Sequence, residues 1–394
     1  MFFMKTFILF LLFIFASTLF VHAEYEYKEE NLIISYEYAV ERVISNSLAI
    51  SDIETRLYPM RNRYAAIRTV LFWLERGSVP HNIPRNNREL PGELWRLEHI
   101  HERQTRENMV RDTRRDLASL GREIEVLEIQ KISLALSLEN QLRNAIFSYI
   151  DLRRSIEILK DDLLIEKDAV NHINIRYDFG MVSRSAVRLA EMNLNQSKLR
   201  LEENLFNLSG LSRNLNALLH FDYYIQLYIE IDTDISFEED ETAVIMSPTI
   251  RTLQIAVDGR AEDLQIFRRQ HQQQGRTSGT AERREIDIQR ETLEYHYNRA
   301  VAERDMRINT MQNLLYNGIN DLETLIAGRV QLYNELEHAL DGLEAAYLNL
   351  SLGRTTEHSL NQTRLNIQRI EQRLERNSFQ IWLLIFRLQN PSLL

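Results

Sequence analysis

The chain has no cysteine in its 394 residues. Disulfide staples, thiolate catalysis and thiolate metal sites are excluded with it. Proline and glycine are scarce, at 6 and 12, which argues against an architecture that turns often and for long helices. The formal net charge is −10, with acids and bases interspersed. No basic stripe runs through the sequence, so no nucleic-acid partner is expected. Past the first 23 residues no segment is apolar enough to be a transmembrane helix. What is present is ordinary for a folded protein, 44% hydrophobic and 26% charged.

The first 23 residues form a separate object. One lysine, Lys5, precedes an apolar run of Phe, Leu and Ile that ends at Val21-His22-Ala23. This reads as a secretory signal peptide, with a retained membrane anchor as the second reading because the run approaches the ~20 residues a span needs. The remaining chain is expected in the cell envelope.

Beyond the leader, helical periodicity dominates. Residues 37–76 carry apolar positions mostly on one face, with Pro59 expected to kink the helix. Residues 77–91 form a polar loop with three prolines. From residue 94 to 179 no proline occurs, and a near-heptad rhythm runs from Leu117 to Leu163. Gly180 should end this helix in a left-handed C-cap, and Ser183 or Ser185 should start the next. That next helix, to about His220, has an unusually regular seam. Val187, Ala190, Leu194, Ser197, Leu201, Asn204, Leu208, Leu211, Leu215 and Leu218 alternate three and four residues apart, the period of helices lying side by side. Alternation of Tyr223, Ile225, Leu227, Ile229 and Ile231 predicts a short strand, and the acidic run at 238–241 a solvated linker.

The order then repeats: a helix over 242–270, a polar stretch over 271–280, a long helix over 281–352, a turn at Gly353, and a last helix to about Gln389. Val43-Ile44-Ser45-Asn46-Ser47 sits against Val244-Ile245-Met246-Ser247-Pro248, and Gly180 against Gly353. The helix over 94–179 would span roughly 130 Å, and those over 37–76 and 182–220 about 60 Å each. Two short helices end to end therefore match one long one. Such a two-stranded rod buries little alone and calls for neighbours.

These features together resemble the TolC family of outer-membrane efflux proteins. Ile34-Ser35-Tyr36-Glu37-Tyr38-Ala39-Val40-Glu41-Arg42 is similar to the family's opening phrase. Asn46-Ser47-Leu48 and Ser247-Pro248 stand where members commonly have Asn-Pro. Arg176-Tyr177-Asp178-Phe179-Gly180-Met181-Val182-Ser183 resembles the family's Arg-x-x-x-Gly-x-x-Ser turn, and the stretch ending at Leu219 its Leu-Asn-x-Leu-Leu close. The resemblance implies a homotrimer whose long helices build a hollow periplasmic cylinder. One end would carry an outer-membrane barrel, and the other would dock on a periplasmic adaptor and inner-membrane pump. Gly180, Met181, Val182, Ser183, Leu352, Gly353, Arg354 and Thr355 would then be adaptor-contact candidates at the pump-facing tip, because a glycine turn admits close backbone approach. The alternative role for both glycines is helix capping alone.

One departure stands out. Family members insert barrel strands between the first and the long helix of each half, and a membrane strand needs about 9–11 alternating residues. Residues 77–91 and 271–280 are too short and too polar for a strand pair, and Tyr64 to Leu74 reads as helix. Outer-membrane contact is thereby open, and the chain is expected outer-membrane-associated or periplasmic.

No catalytic constellation accompanies these features, and no cofactor or metal is expected. His99 and His101 lie two apart, off a common helical face, and no phosphate loop or nucleophile elbow occurs. The many acids at helical spacing read as surface ion pairs. Trp73, Trp95 and Trp382 are read as core or interface residues. For Trp73 and Trp95, which flank the proline-rich loop, contact with a lipid interface is a further reading.

The expected fold is mainly α, a two-fold repeat of long antiparallel helices with little β. The divisions are a signal peptide over 1–23, a first repeat over 24–220, a linker with a short strand over 221–241, and a second repeat over 242–394. The expected function is a trimeric efflux conduit rather than an enzyme, with a barrel-less periplasmic scaffold as the alternative.

Overall fold

Long uninterrupted helices follow directly from the scarcity of breakers, and the computed structural model consists largely of them. It describes residues 31–76, 92–233, 236–238, 240, 242–271 and 280–394. The expected leader, linker positions 234, 235, 239 and 241, and the two polar loops over 77–91 and 272–279 lie outside the described residues.

A short strand β1 (Asn31–Ser35) leads into α1 (Tyr36–Ser45) and α2 (Leu48–Arg76). The longest helix is α3 (Gly92–Asp178), with 87 residues, about 130 Å at 1.5 Å per residue. It is followed by α4 (Arg184–Leu218) and strand β2 (Gln226–Glu230). The second half contains α5 (Ala243–Met246), α6 (Pro248–His271), α7 (Thr280–Ser351) and α8 (Glu357–Gln389), closed by a 3-10 turn (Pro391–Leu393).

Two expected single helices are each two. The break falls at Asn46–Ser47 in the first half and at Ser247 in the second, not at Pro59, which sits inside α2. The hydrogen bonds at the two breaks are the same. Ser47 and Ser247 each accept from the amide three residues on, Ile50 and Ile250, at 3.4 Å. Their own amides donate to Ile44 and Val244. A serine oxygen takes a free amide in the first turn of the following helix, and this local competition ends the preceding one. Ser47 is thus the counterpart of Ser247, one residue away from the alignment of Val43 with Val244.

The short helices splice against the long one as their lengths require. α2 runs antiparallel to the first part of α3, through Glu54–Lys131, Arg61–Glu128 and Glu75–Arg114. α4 covers the remainder. Every seam residue from Val187 to Leu218 is at least half-covered, and Leu215 is fully buried. The strand expected around residues 223–231 is β2. Its parallel partner β1 was not legible as a strand; the register sets Asn31 against Gln226 and Ser35 against Glu230.

The strand pair, α1, the middle of α3 and the end of α8 form a waist that holds the largest buried apolar cluster among the described residues. Leu142, Ile146, Leu215, Leu219 and Leu227 pack there with Ala39 and Val43. Trp382, 1% exposed, lies edge-on to Tyr36 and Phe379. Full burial of each such side chain contributes about 1.5–3 kcal/mol. Arg143 is buried among these rings. It lies 4.1 Å from the Trp382 centroid and 4.0 Å from Phe386, and it donates to Glu139 at 2.9 Å. The Tyr36 hydroxyl donates to the same carboxylate at 2.7 Å. Burial first, and then this bond, push the Tyr36 phenol far up, so it stays a donor. The cluster joins α1 and α3 of the first half to α8 of the second.

No described helix is long and apolar enough to cross a membrane. Among the described residues the sheet is the β1–β2 pair alone, and residues 64–74 are helical, as expected.

Candidate functional site

The sequence points to two glycine turns, and the structure builds both in the same way. At the end of α3, Gly180 has φ 71°, a conformation glycine adopts without steric cost. Its amide donates to Tyr177 at 2.8 Å, and the Met181 amide donates to Arg176 at 2.8 Å. This is the Schellman pattern, which satisfies carbonyls that a helix end leaves open. At the end of α7, Gly353 has φ 67°. It donates to Leu350 at 2.9 Å, and Arg354 donates to Asn349 at 2.8 Å.

Each turn then starts a helix three residues later. The Ser183 hydroxyl accepts from the Ala186 amide at 3.4 Å, and the Thr356 hydroxyl from Ser359 at 3.3 Å. Ser183, not Ser185, is therefore the cap, with Ser185 bonded to it side chain to side chain at 2.7 Å. The counterpart of Ser183 is Thr356, next to the candidate Thr355. The spacing Gly-x-x-Ser against Gly-x-x-Thr carried that signal.

A ladder between α3 and α8 places the turns together. Arg387 donates to Asn140 and Asn144, Arg376 pairs with Asp151 through two bonds, Arg154 with Glu371, and Arg369 with Asp162. Positions rise along α3 as they fall along α8, so the end of α3 and the start of α8 lie at one pole. Gly180, Met181, Ser183, Leu352, Gly353 and Arg354 are exposed there, and Val182 and Thr355 are half-covered. Three large apolar side chains stand in solvent on the two turns: Phe179 at 75% exposure, Met181 at 67% and Leu352 at 55%. Phe179 was not among the candidates, although it directly precedes Gly180. Nothing lies within 4 Å of where a Cβ would sit on either glycine.

The two turns present exposed apolar side chains and open backbone. No group of three or more histidines, aspartates or glutamates arranged to hold a metal occurs among the described residues. Acids expected in surface pairs are found in them, as in Arg373–Glu335 and Arg268–Glu294. His99 and His101 lie within α3.

No family model matches the chain, and no curated protein matches it in sequence. Solved structures do match. The outer-membrane protein VceC from Vibrio cholerae superposes with a TM-score of 0.60 at 13% identity, over 90% of this chain and 96% of that one. The MtrE outer-membrane channel of Neisseria gonorrhoeae gives 0.60 at 11%, over 91% and 88%. A membrane protein from Pseudomonas aeruginosa gives 0.60 at 13%, over 92% and 91%. At these identities the likeness is one of fold.

Proposed function

We propose that this chain, which has the helical fold of TolC-family outer-membrane channels, is a non-enzymatic efflux component of the cell envelope. In this reading three copies close a cylinder, and the pole carrying Gly180 and Gly353 docks on a periplasmic adaptor and, through it, an inner-membrane pump.

One observation carries the reading. Beyond the covered seam, α4 has a second apolar stripe, Leu189, Met192, Leu199 and Phe206, and all four are exposed. α7 has another, Ile326, Val330, Tyr333, Leu340 and Tyr347, also exposed. Met192, Leu199 and Phe206 fall seven apart, as do Ile326, Tyr333, Leu340 and Tyr347. A heptad stripe is a surface for a neighbouring helix, and exposed apolar patches of this extent mark association. Both stripes lie in the parts of α4 and α7 that reach toward the turn pole, so lateral contact there would close the same part of a cylinder.

Light scattering tests the assembly. The parent should have the mass of a trimer, and a variant carrying L199E and Y333E should be smaller with helical content intact. A parent that stays monomeric at working concentration overturns the cylinder.

A barrel-less scaffold is the second reading. It is supported by the sequence of the two loops, 77–91 and 271–280, which are too short and too polar for a pair of membrane strands. Planar-bilayer recording separates the two. Conductance steps support a conduit, and a trimer silent in the bilayer supports a scaffold.

A further inference from the structure

Toward the opposite pole, α2 and α6 end alongside the first third of α3, and this region has its own chemistry. Arg122–Glu262 and Arg251–Glu125 set α6 against α3 there. An open groove of about 710 Å³ runs between the three helices. Leu74, Val110 and Ile266 supply its apolar lining.

Its charges do not cancel. Glu75 is held by Arg114 at 2.6 Å, Glu107 by Arg103 at 3.1 Å, and Glu262 by Arg122. Arg111 stands beside Asp112 at 3.9 Å. Arg106, Arg115 and Arg269 line the same groove, are exposed, and form no ion pair among the described residues. The imbalance is a property of the region. Residues 61–76 and 103–122 contain ten arginines against four acidic residues, in a chain whose net charge is −10, so these parts of α2 and α3 are positive in an acidic chain.

Aromatic side chains stand beside it. Phe72 and Trp73, in the last turns of α2, are 44% and 48% exposed and meet edge-on at 5.4 Å. Arg76 stacks on Phe72 at 4.0 Å. Guanidinium groups bind phosphate through paired bonds, and exposed Trp beside cationic side chains is the composition that settles at a bilayer interface.

We infer that this pole docks on the surface of a bilayer rich in anionic phospholipid. Arg106, Arg115 and Arg269 receive lipid phosphates, and Trp73 and Phe72 rest at the headgroup level. The assignment goes beyond the conduit reading and needs neither a trimer nor a pore.

Vesicle co-sedimentation of the full chain tests it. Vesicles containing phosphatidylglycerol should bind the parent at low salt. Binding should fall in about 1 M salt, where charges are screened beyond ~3 Å. Each arginine near an anionic surface contributes about a fivefold change in affinity, so the R106Q, R115Q and R269Q triple variant should bind about 100-fold more weakly. The triple variant R188Q, R200Q and R307Q, altered away from the groove, should bind as the parent does. Helical ellipticity checks folding, and R115Q alone, with its expected fivefold loss, keeps the measurement available if the groove triple misfolds. Equal losses in both triples, undiminished binding by the groove triple, or salt-resistant binding to phosphatidylcholine alone each overturns the proposal. So does a groove triple that changes oligomeric mass while binding vesicles normally, because the groove then serves a second copy of the chain.

Discussion

Three helices in this chain end with the same pair of backbone hydrogen bonds, two at the turn pole and one at the waist. At the pole, Gly180 and Gly353 take the left-handed position with open space around them. At the waist, α4 ends on His220 at φ 54°, with Phe221 donating to Asn216 at 2.9 Å. A side chain at that angle costs roughly 1–2 kcal/mol, and tertiary contacts hold it there. Arg42 of α1 donates to the carbonyls of Leu219 at 2.7 Å and His220 at 3.1 Å, and stacks on Phe221 at 4.0 Å. Buried Asn216 donates to Ile225 at 2.8 Å. The waist fixes its turn from outside, whereas each pole turn rests on its own glycine.

The largest test of this contrast is Trp382→Ala. It should cost about 3–5 kcal/mol in chemical denaturation, and a loss under about 1 kcal/mol would remove the waist as the main core. Arg42→Ala should follow at about 2 kcal/mol, the range for hydrogen bonds from a charged donor. Arg42→Lys should recover little, because an ammonium cannot span two carbonyls and a ring. Gly180→Ala and Gly353→Ala should each cost about 1 kcal/mol. Unequal costs would break the equivalence of the two turns. His220→Gly should go the other way, stabilising by less than about 1 kcal/mol, and any loss would mean that the imidazole itself supports the waist.

The smallest effect is expected at Glu375. Burial raises its pKa, and Asp151 and Glu157 add to the rise while Arg154 opposes it. A carboxyl raised in the folded state penalises folding above its pKa, and the penalty fades as pH falls through the carboxylate range. Glu375→Gln should therefore be slightly more stable than the parent at neutral pH and equal to it in acid, as read from denaturation midpoints.

The sequence carried the periodic parts well. The α4 seam, the capped turns, the strand near Leu227 and the helical reading of residues 64–74 rest on local spacing, and local spacing decides them. The splits at Ser47 and Ser247 were less legible, because a serine side chain outcompeting one backbone bond leaves no mark on periodicity. β1 was missed because five residues with three apolar side chains become a strand only beside β2. By sequence alone Arg143 is one more arginine on a charged helix. Its burial comes from Trp382 and Phe386, which the chain supplies more than two hundred residues later. At the site, Gly180 and Gly353 were found from their conformational role, whereas Phe179, exposed and apolar, carries no positional signature.

The strand pair has a consequence for how the molecule is made. β1 is the first described element in chain order, and its partner β2 follows only after α1 to α4. Contacts this distant in sequence carry a large loop-closure cost and form late. The helical hairpin of α3 and α4 can zip while the chain is still emerging, but β1 must wait unpaired until the hairpin is complete. Closure of the waist is then the slow step, and the interval before it is when an unpaired strand is open to the wrong partner.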